Sequence, residues 1–198
     1  MPILGDQLDR AHPALARLDR TRDRLLFVEA PGEAAQVWSH KARIALFFAA
    51  MRAFAAELVA AGYAVEYLRI GTHPHATLGD AWRAVLGRDR PDRVVACEPG
   101  DWRVLADLQR ACAEFATPLA VLPDPHFLCS RDEFVAWAGD RSALRMEYFY
   151  RWMRKRTGVL MDADVPAGGR WNFDAENRAS FGRGGPGAVP APPRFAPD

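Results

Sequence analysis

The residues with most chemical potential near the start of the chain are Gly5-Asp6-Gln7-Leu8, directly after the short apolar start Ile3-Leu4. Glycine lets a backbone approach a ligand closely, and Asp and Gln supply an acceptor and a donor–acceptor pair at the end of a strand. The same residues also describe a plain turn with a capping aspartate. Glu29, Glu33, His40 and Lys41 follow the next apolar run and open a long helical pattern. Helix starts favour acidic groups and anionic ligands, and a solvated, charged helix start accounts for these residues equally well. His73, His75 and Asp80 have metal-ligating side chains, but His73-Pro74-His75 reads as a turn and no third close ligand completes a structural zinc site. Cys97, Cys112 and Cys129 are odd in number and widely spaced, which builds neither a disulfide framework nor a CxxC knuckle. Cys97 in an apolar run and Cys112 on an apolar helix face read as buried structural thiols of a reducing cytoplasm. No GxGxxG, GxxxxGK(S/T) or GxSxG occurs, so dinucleotide, P-loop and serine-hydrolase chemistry find no motif.

Around these residues, apolar runs alternate with helical patterns. Leu25–Val28 is a continuous apolar run, as buried parallel strands tend to be. A helix from about Ser39 to Ala61 places Ile44, Phe47, Phe48, Met51, Phe54 and Leu58 on one face, with Gly62 as its stop. Strands are predicted at 64–70, 93–97 and 119–122, and helices start near Thr77, after the cap Asp101, and at the Ser130-x-x-Glu133 capping box. Counting Ile3-Leu4, five strands alternate with helices. The predicted fold is α/β: a Rossmann- or flavodoxin-like five-stranded parallel sheet covered by helices on both faces, over residues 1–140. In such sheets ligands bind beyond the C-terminal strand ends, near the point where strand order reverses.

After Asp140 the character changes. Arg145–Arg156 is aromatic and basic at once, with Tyr148, Phe149, Tyr150 and Trp152 among five cationic residues. It could stack on nucleic acid and contact phosphates, or bury Met146, Phe149 and Met153 and leave its arginines in water. The last 17 residues hold four Gly and five Pro, so residues 141–198 read as a helix followed by an extended interdomain linker.

Composition narrows the class of partner. In 198 residues, 26 Lys and Arg nearly cancel 25 Asp and Glu, so net charge favours neither nucleic acid nor an acidic partner. No apolar run approaches the length of a membrane span and no charged-apolar leader is visible, which predicts a soluble cytoplasmic protein with no membrane partner.

Several strings together are more specific than any of these features alone: LGDQL (4–8), SHKARIALFFAAMRAFAAEL (39–58), EPGDWRV (98–104), FLCSRDEF (127–134), LRMEYFYRWMRKRTGVLMD (144–162) and GGRWNFDAENR (168–178). In that order the chain resembles the N-terminal region of the photolyase-related proteins, the iron–sulfur bacterial cryptochromes and (6-4) photolyases. The resemblance implies an α/β domain that carries a light-harvesting antenna, typically 6,7-dimethyl-8-ribityllumazine. It also implies a C-terminal helical domain, beyond this chain, that binds FAD and a 4Fe-4S cluster and acts on DNA lesions or signals light. The cluster cysteines belong to that domain, so the three present here are not metal ligands. Carried over by motif, the antenna pocket would use Gly5, Asp6 and Gln7, with Glu33 and the helix face near Lys41 and Phe47. Asp6 and Glu33 would accept hydrogen bonds from ribityl hydroxyls or ring N–H groups. No catalytic residue is expected within the chain itself. A stand-alone flavodoxin-like binding or electron-transfer module, or a DNA-binding adaptor using the arginine-rich helix, are the alternative readings. The segment Arg145–Arg178 is expected to dock the helical domain.

Overall fold

In the computed structural model, which describes residues 1–174 and 180–194, the chain divides into two compact units, Met1–Ser130 and Arg131–Asp198. The first unit is built of parallel strand pairs and helices. Strand β1 (Leu25–Val28) pairs in parallel with β2 (Val65–Leu68), and β3 (Val94–Cys97) with β4 (Leu119–Leu122). Between β1 and β2 lie α1 (Pro31–Gln36) and α2 (Lys41–Ala60); α3 (Leu78–Asp89) leads to β3 and α4 (Trp102–Glu114) to β4.

Strand alternation divides the core. Leu26 and Val28 of β1 point toward α3 and α4, packing with Trp82, Leu86, Val104 and Leu108. Leu25 and Phe27 point the other way, against Met51, Phe54 and Leu58 of α2. Every residue of β1 is therefore buried, as its unbroken apolar run requires.

The expected five strands do not join in one hydrogen-bonded sheet. The first is reduced to a single parallel bridge, Pro2 with Leu26, flanked by Ile3 N–H donating to Leu26 O at 3.0 Å and Leu26 N–H to Met1 O at 2.8 Å. Pro2 has no N–H to give a ladder, and the chain turns away at Gly5, so nothing carries the ladder on to β3 among the described residues. A side chain spans the gap instead: Gln7 Nε2 donates to Glu98 O, just past β3, at 2.9 Å.

Local signals account for most helix ends. Thr77 and Asp80 form a reciprocal capping box, Asp101 Oδ1 accepts from Arg103 N–H at 2.8 Å, and Gly62 takes a positive φ of 84° just past α2. Asp80 thus caps a helix, and His73 accepts through Nδ1 from His75 N–H, so that trio has local roles. Among the described residues no group of His, Cys, Asp and Glu is arranged to hold a metal ion, and the three cysteines are free thiols. No helix among the described residues is long and apolar enough to cross a membrane.

The second unit holds α5 (Arg131–Ala138), which the sequence placed at the end of the α/β domain, then α6 (Met146–Thr157) and a short antiparallel pair, β5 (Met161–Asp162) with β6 (Val165–Pro166). The end of the string Gly168–Arg178 and the last four residues of the chain lie outside the described residues.

Glu29, at the end of β1, is fully buried. Arg52 donates to both carboxylate oxygens at 2.6 and 2.7 Å, Tyr67 Oη donates at 2.7 Å, and Ile70 N–H at 3.0 Å. It is therefore no solvated member of a charged helix start. Burial alone would raise its pKa, but these donors hold the carboxyl below the ordinary value of 4.5. A depressed folded-state value means the stabilisation is complete above about pH 4.5 and lost as pH falls through the folded value. Glu29→Ala, which strands Arg52 and Tyr67, should lower stability by about 3 kcal/mol in urea unfolding. Glu29→Gln should flatten the acid limb of stability against pH; an acid limb identical to that of the parent chain would contradict this assignment.

Candidate functional site

The N-terminal bridge, β1 and β3 all end at the same side of the first unit. There the gap between the two strand pairs opens into a cavity of about 220 Å³. Its floor comes from β1 (Leu26, Val28), one wall from α2 (Phe47, Phe48, Met51), and its rim from Leu4–Asp6 and the Pro99–Asp101 turn. This is the crevice beyond carboxyl strand ends where open α/β sheets hold ligands.

Of the six residues expected at the site, four line this cavity: Gly5, Asp6, Glu33 and Phe47. Gly5 has a steric reason to be glycine, because a Cβ there would lie 3.0 Å from both Met51 Sδ and the Phe47 ring. Gln7 and Lys41 do not line it. Gln7 is buried and fastens the rim to Glu98. Its Oε1 is buried without a hydrogen-bond partner. Lys41 stands exposed at the first turn of α2.

Glu33 is not a free acceptor. Arg103 of α4 grips both its oxygens, at 3.1 and 2.7 Å, and also reaches Asp101 Oδ2 at 3.2 Å. This guanidinium, 70 residues away in sequence, offsets part of the acidic rim at Glu33 and Asp101 and joins α1 to α4. Sequence reasoning passed over it. Its one local signal was its place two residues after the capping Asp101.

Asp6 has a different environment. Desolvation raises its carboxyl pKa, the nearby Asp124 and Asp101 raise it further, and its backbone hydrogen bond and His126 only partly oppose this. Behind Asp6, His126 Nδ1 lies 2.7 Å from Asp124 Oδ1. His12, 1% exposed, accepts from Ala14 N–H through Nδ1, and burial lowers its pKa and keeps it neutral. None of His12, Asp124 and His126 stood out in the sequence.

Among the described residues lining the cavity there is no Ser, Thr, Cys, His or Lys, and its ionisable side chains are the carboxylates of Asp6, Glu33 and Asp101. Apolar and aromatic walls with these three carboxylates at the rim suit a flat ring bearing hydroxyl or N–H donors. A second cavity, of about 250 Å³, is ringed by Arg22, Arg24, Asp23, Glu66 and Asp89. Arg24 binds Glu66 and Asp89 there at 2.9 and 2.8 Å, so much of its charge is internally satisfied.

An α/β unit with a cavity at its strand ends, followed by a second unit with two helices, defines the class of protein. The family described as deoxyribodipyrimidine photo-lyase-related protein matches residues 1–198, and the chain belongs to that family. It is 43% identical over 199 residues to a (6-4) photolyase of Agrobacterium fabrum, covering 99% of this chain and 38% of that protein. It is also 26% identical over 82 residues to an uncharacterized protein of Acanthamoeba polyphaga mimivirus, covering 37% of this chain and 42% of that one. The chain thus matches about two-fifths of the length of either relative.

The crowding of acids around Asp6 yields a measurable consequence. Followed by carboxyl NMR, Asp6 should titrate above the ordinary aspartate value of about 3.9. Removing the Asp124 charge by Asp124→Asn should move that titration down. A midpoint at or below the ordinary value in the parent chain would overturn this account of the rim.

Proposed function

We propose that the unit Met1–Ser130 is the antenna-chromophore-binding domain of a photolyase- or cryptochrome-like flavoprotein, harvesting light for a flavin held elsewhere in the full protein. The observation that carries this reading is the cavity that gathers Gly5, Asp6, Glu33 and Phe47 beyond the strand ends. Its volume, about 220 Å³, is below the roughly 300 Å³ at which pockets for drug-sized ligands begin, so it suits a bicyclic ring better than a dinucleotide. The ligand proposed is 6,7-dimethyl-8-ribityllumazine. FAD, a 4Fe-4S cluster and the handling of DNA lesions, or light signalling, belong on this reading to a C-terminal helical domain, and the protein works in the cytoplasm.

When bound, the lumazine would supply absorption at wavelengths the flavin collects poorly. The chain's own residues bind, orient and shield it. Asp6 is the acceptor at the rim with no cationic partner among the described hydrogen bonds, while Glu33, already held by Arg103, is a fixed one whose position does not depend on the ligand. Phe47, Phe48 and Met51 exclude water from the ring, and Gly5 keeps the path past Met51 open. Such a domain acts by geometry: the excitation transferred depends on where the ring is held and how it is oriented.

The purified chain should therefore carry, or take up on titration, a lumazine identifiable by absorption and by mass after denaturation. Asp6→Ala should weaken its binding by about 1–3 kcal/mol, the usual effect of removing one partner of a buried polar contact. Unchanged affinity in both Asp6→Ala and Glu33→Ala would move the site elsewhere, and a released flavin would replace this reading with a flavodoxin-like one.

A further inference from the structure

Helix α6 carries four cations in six residues, Arg151, Arg154, Lys155 and Arg156. Their surroundings differ sharply. Arg151 is paired with Glu147, and Arg156 with Glu133 of α5. Arg154 has no carboxylate partner among the described residues, yet it is only 6% exposed. The expected pattern for this helix, Met146 buried and the arginines in water, is thus reversed at these two positions, for Met146 is 76% exposed.

The guanidinium of Arg154 lies between two aromatic rings, 5.3 Å from the centroid of Tyr150 and 5.2 Å from that of Trp171. Among the described residues its hydrogen-bond acceptors are neutral: Nη1 donates to Tyr150 Oη at 3.4 Å, and Nη2 donates to Leu160 O. Nε is buried with no acceptor. A guanidinium taken out of water without a counter-charge is strongly unfavourable unless an anion completes it. Lys155 adds a second cation, 5.7 Å from the Trp171 ring, whereas Arg151, 5.5 Å from that ring, is already answered by Glu147.

Arg154 lines a cleft of about 860 Å³ between α6 and residues 160–174. That space far exceeds what a bare inorganic anion fills, and Phe149, Tyr150, Trp171 and Phe173 give it flat apolar walls. The acids that share it do not answer Arg154, because Glu147 is held by Arg151 and Asp174 is exposed to solvent. We infer that this cleft binds a planar aromatic oxyanion, a ring bearing a phosphate or carboxylate group. The oxyanion seats on Arg154 through two parallel N–H donors, and the ring lies against the aromatic walls. The site lies wholly within the second unit and is independent of the antenna cavity.

The test is titration of the full chain with phenyl phosphate, benzoate, inorganic phosphate and neutral benzamide, read by calorimetry and by tryptophan fluorescence. Phenyl phosphate or benzoate should saturate one site per chain, and the tighter of the two identifies the oxyanion. Inorganic phosphate should compete more weakly and benzamide should not bind. Arg154→Met should weaken aryl-anion binding about tenfold or more, the loss expected for a charge-assisted contact. Arg154→Lys keeps the charge but not the paired donors, and should also weaken it while retaining the parent circular dichroism spectrum and melting temperature. Trp171→Phe should abolish the fluorescence response. Absence of saturable aryl-anion binding up to about 1 mM, the weak limit of specific recognition, overturns the proposal. So does equal affinity in the parent chain, Arg154→Met and Arg154→Lys, or benzamide binding as tightly as benzoate.

Discussion

A single buried carboxylate sets the arrangement of the first unit's ligand side. Glu29 cannot be left in an apolar interior without donors, and the four it finds come from three separate places: Arg52 on α2, Tyr67 on β2, and the Ile70 backbone after it. Meeting that demand fixes α2 in rotation and height against β1. Once Arg52 is committed to Glu29, its neighbour Met51 and, one turn earlier, Phe47 and Phe48 fall on the side that walls the cavity. Phe27 consolidates the same contact, stacking on Tyr67 at 5.6 Å and meeting Phe54 edge-on at 6.3 Å. The position of the site is thus a consequence of charge burial some distance from it.

The break in the sheet is the second determinant. A continuous ladder from β1 through the N-terminal segment to β3 would close the space in which the cavity forms. Pro2 and the turn at Gly5 prevent it, and Gln7 with the Glu33–Arg103 pair hold the two halves at a defined separation. Side-chain hydrogen bonds replace backbone ones where the cavity opens. The same rim crowds Asp6 with like charge, which favours a partner able to donate hydrogen bonds to it.

The second unit solves a different problem, burying enough apolar surface in few residues. It does so with aromatic rings: Trp137 and Phe149 lie 4.9 Å apart, Phe134 and Phe149 5.2 Å, and Phe149 and Trp152 5.6 Å. Tyr148 and Tyr150 remain largely exposed, and Arg154 takes the buried place between rings. An arginine-rich helix there is therefore two surfaces, one solvated and ion-paired, the other a guanidinium enclosed by aromatics.

The sequence by itself determined the order and type of the elements from β1 through α6, apart from α1, and not the short pair β5–β6 or the reduced N-terminal strand. Leu25–Val28, 93–97 and 119–122 were legible as strands because each holds a short apolar run, and β1, β3 and β4 fall within a residue of them, although only β1 is buried along its whole length and Ala120 and Val121 of β4 are exposed. The caps at Thr77 and Asp101, and the stop at Gly62, were legible because each acts within four residues. The family resemblance grouped Gly5, Asp6, Gln7, Glu33, Lys41 and Phe47, and the fold brings four of the six, Gly5, Asp6, Glu33 and Phe47, to one cavity. Only the tertiary structure decided which charges are partners. Glu29 and Glu33 sit four residues apart and look alike in the sequence, yet one is buried against Arg52 and the other clamps Arg103 across 70 residues. Arg154 and Lys155 are neighbours, yet one is enclosed and the other solvated. Local propensity reaches about one helical turn, whereas the partner of a charge depends on which distant segments the hydrophobic core brings beside it.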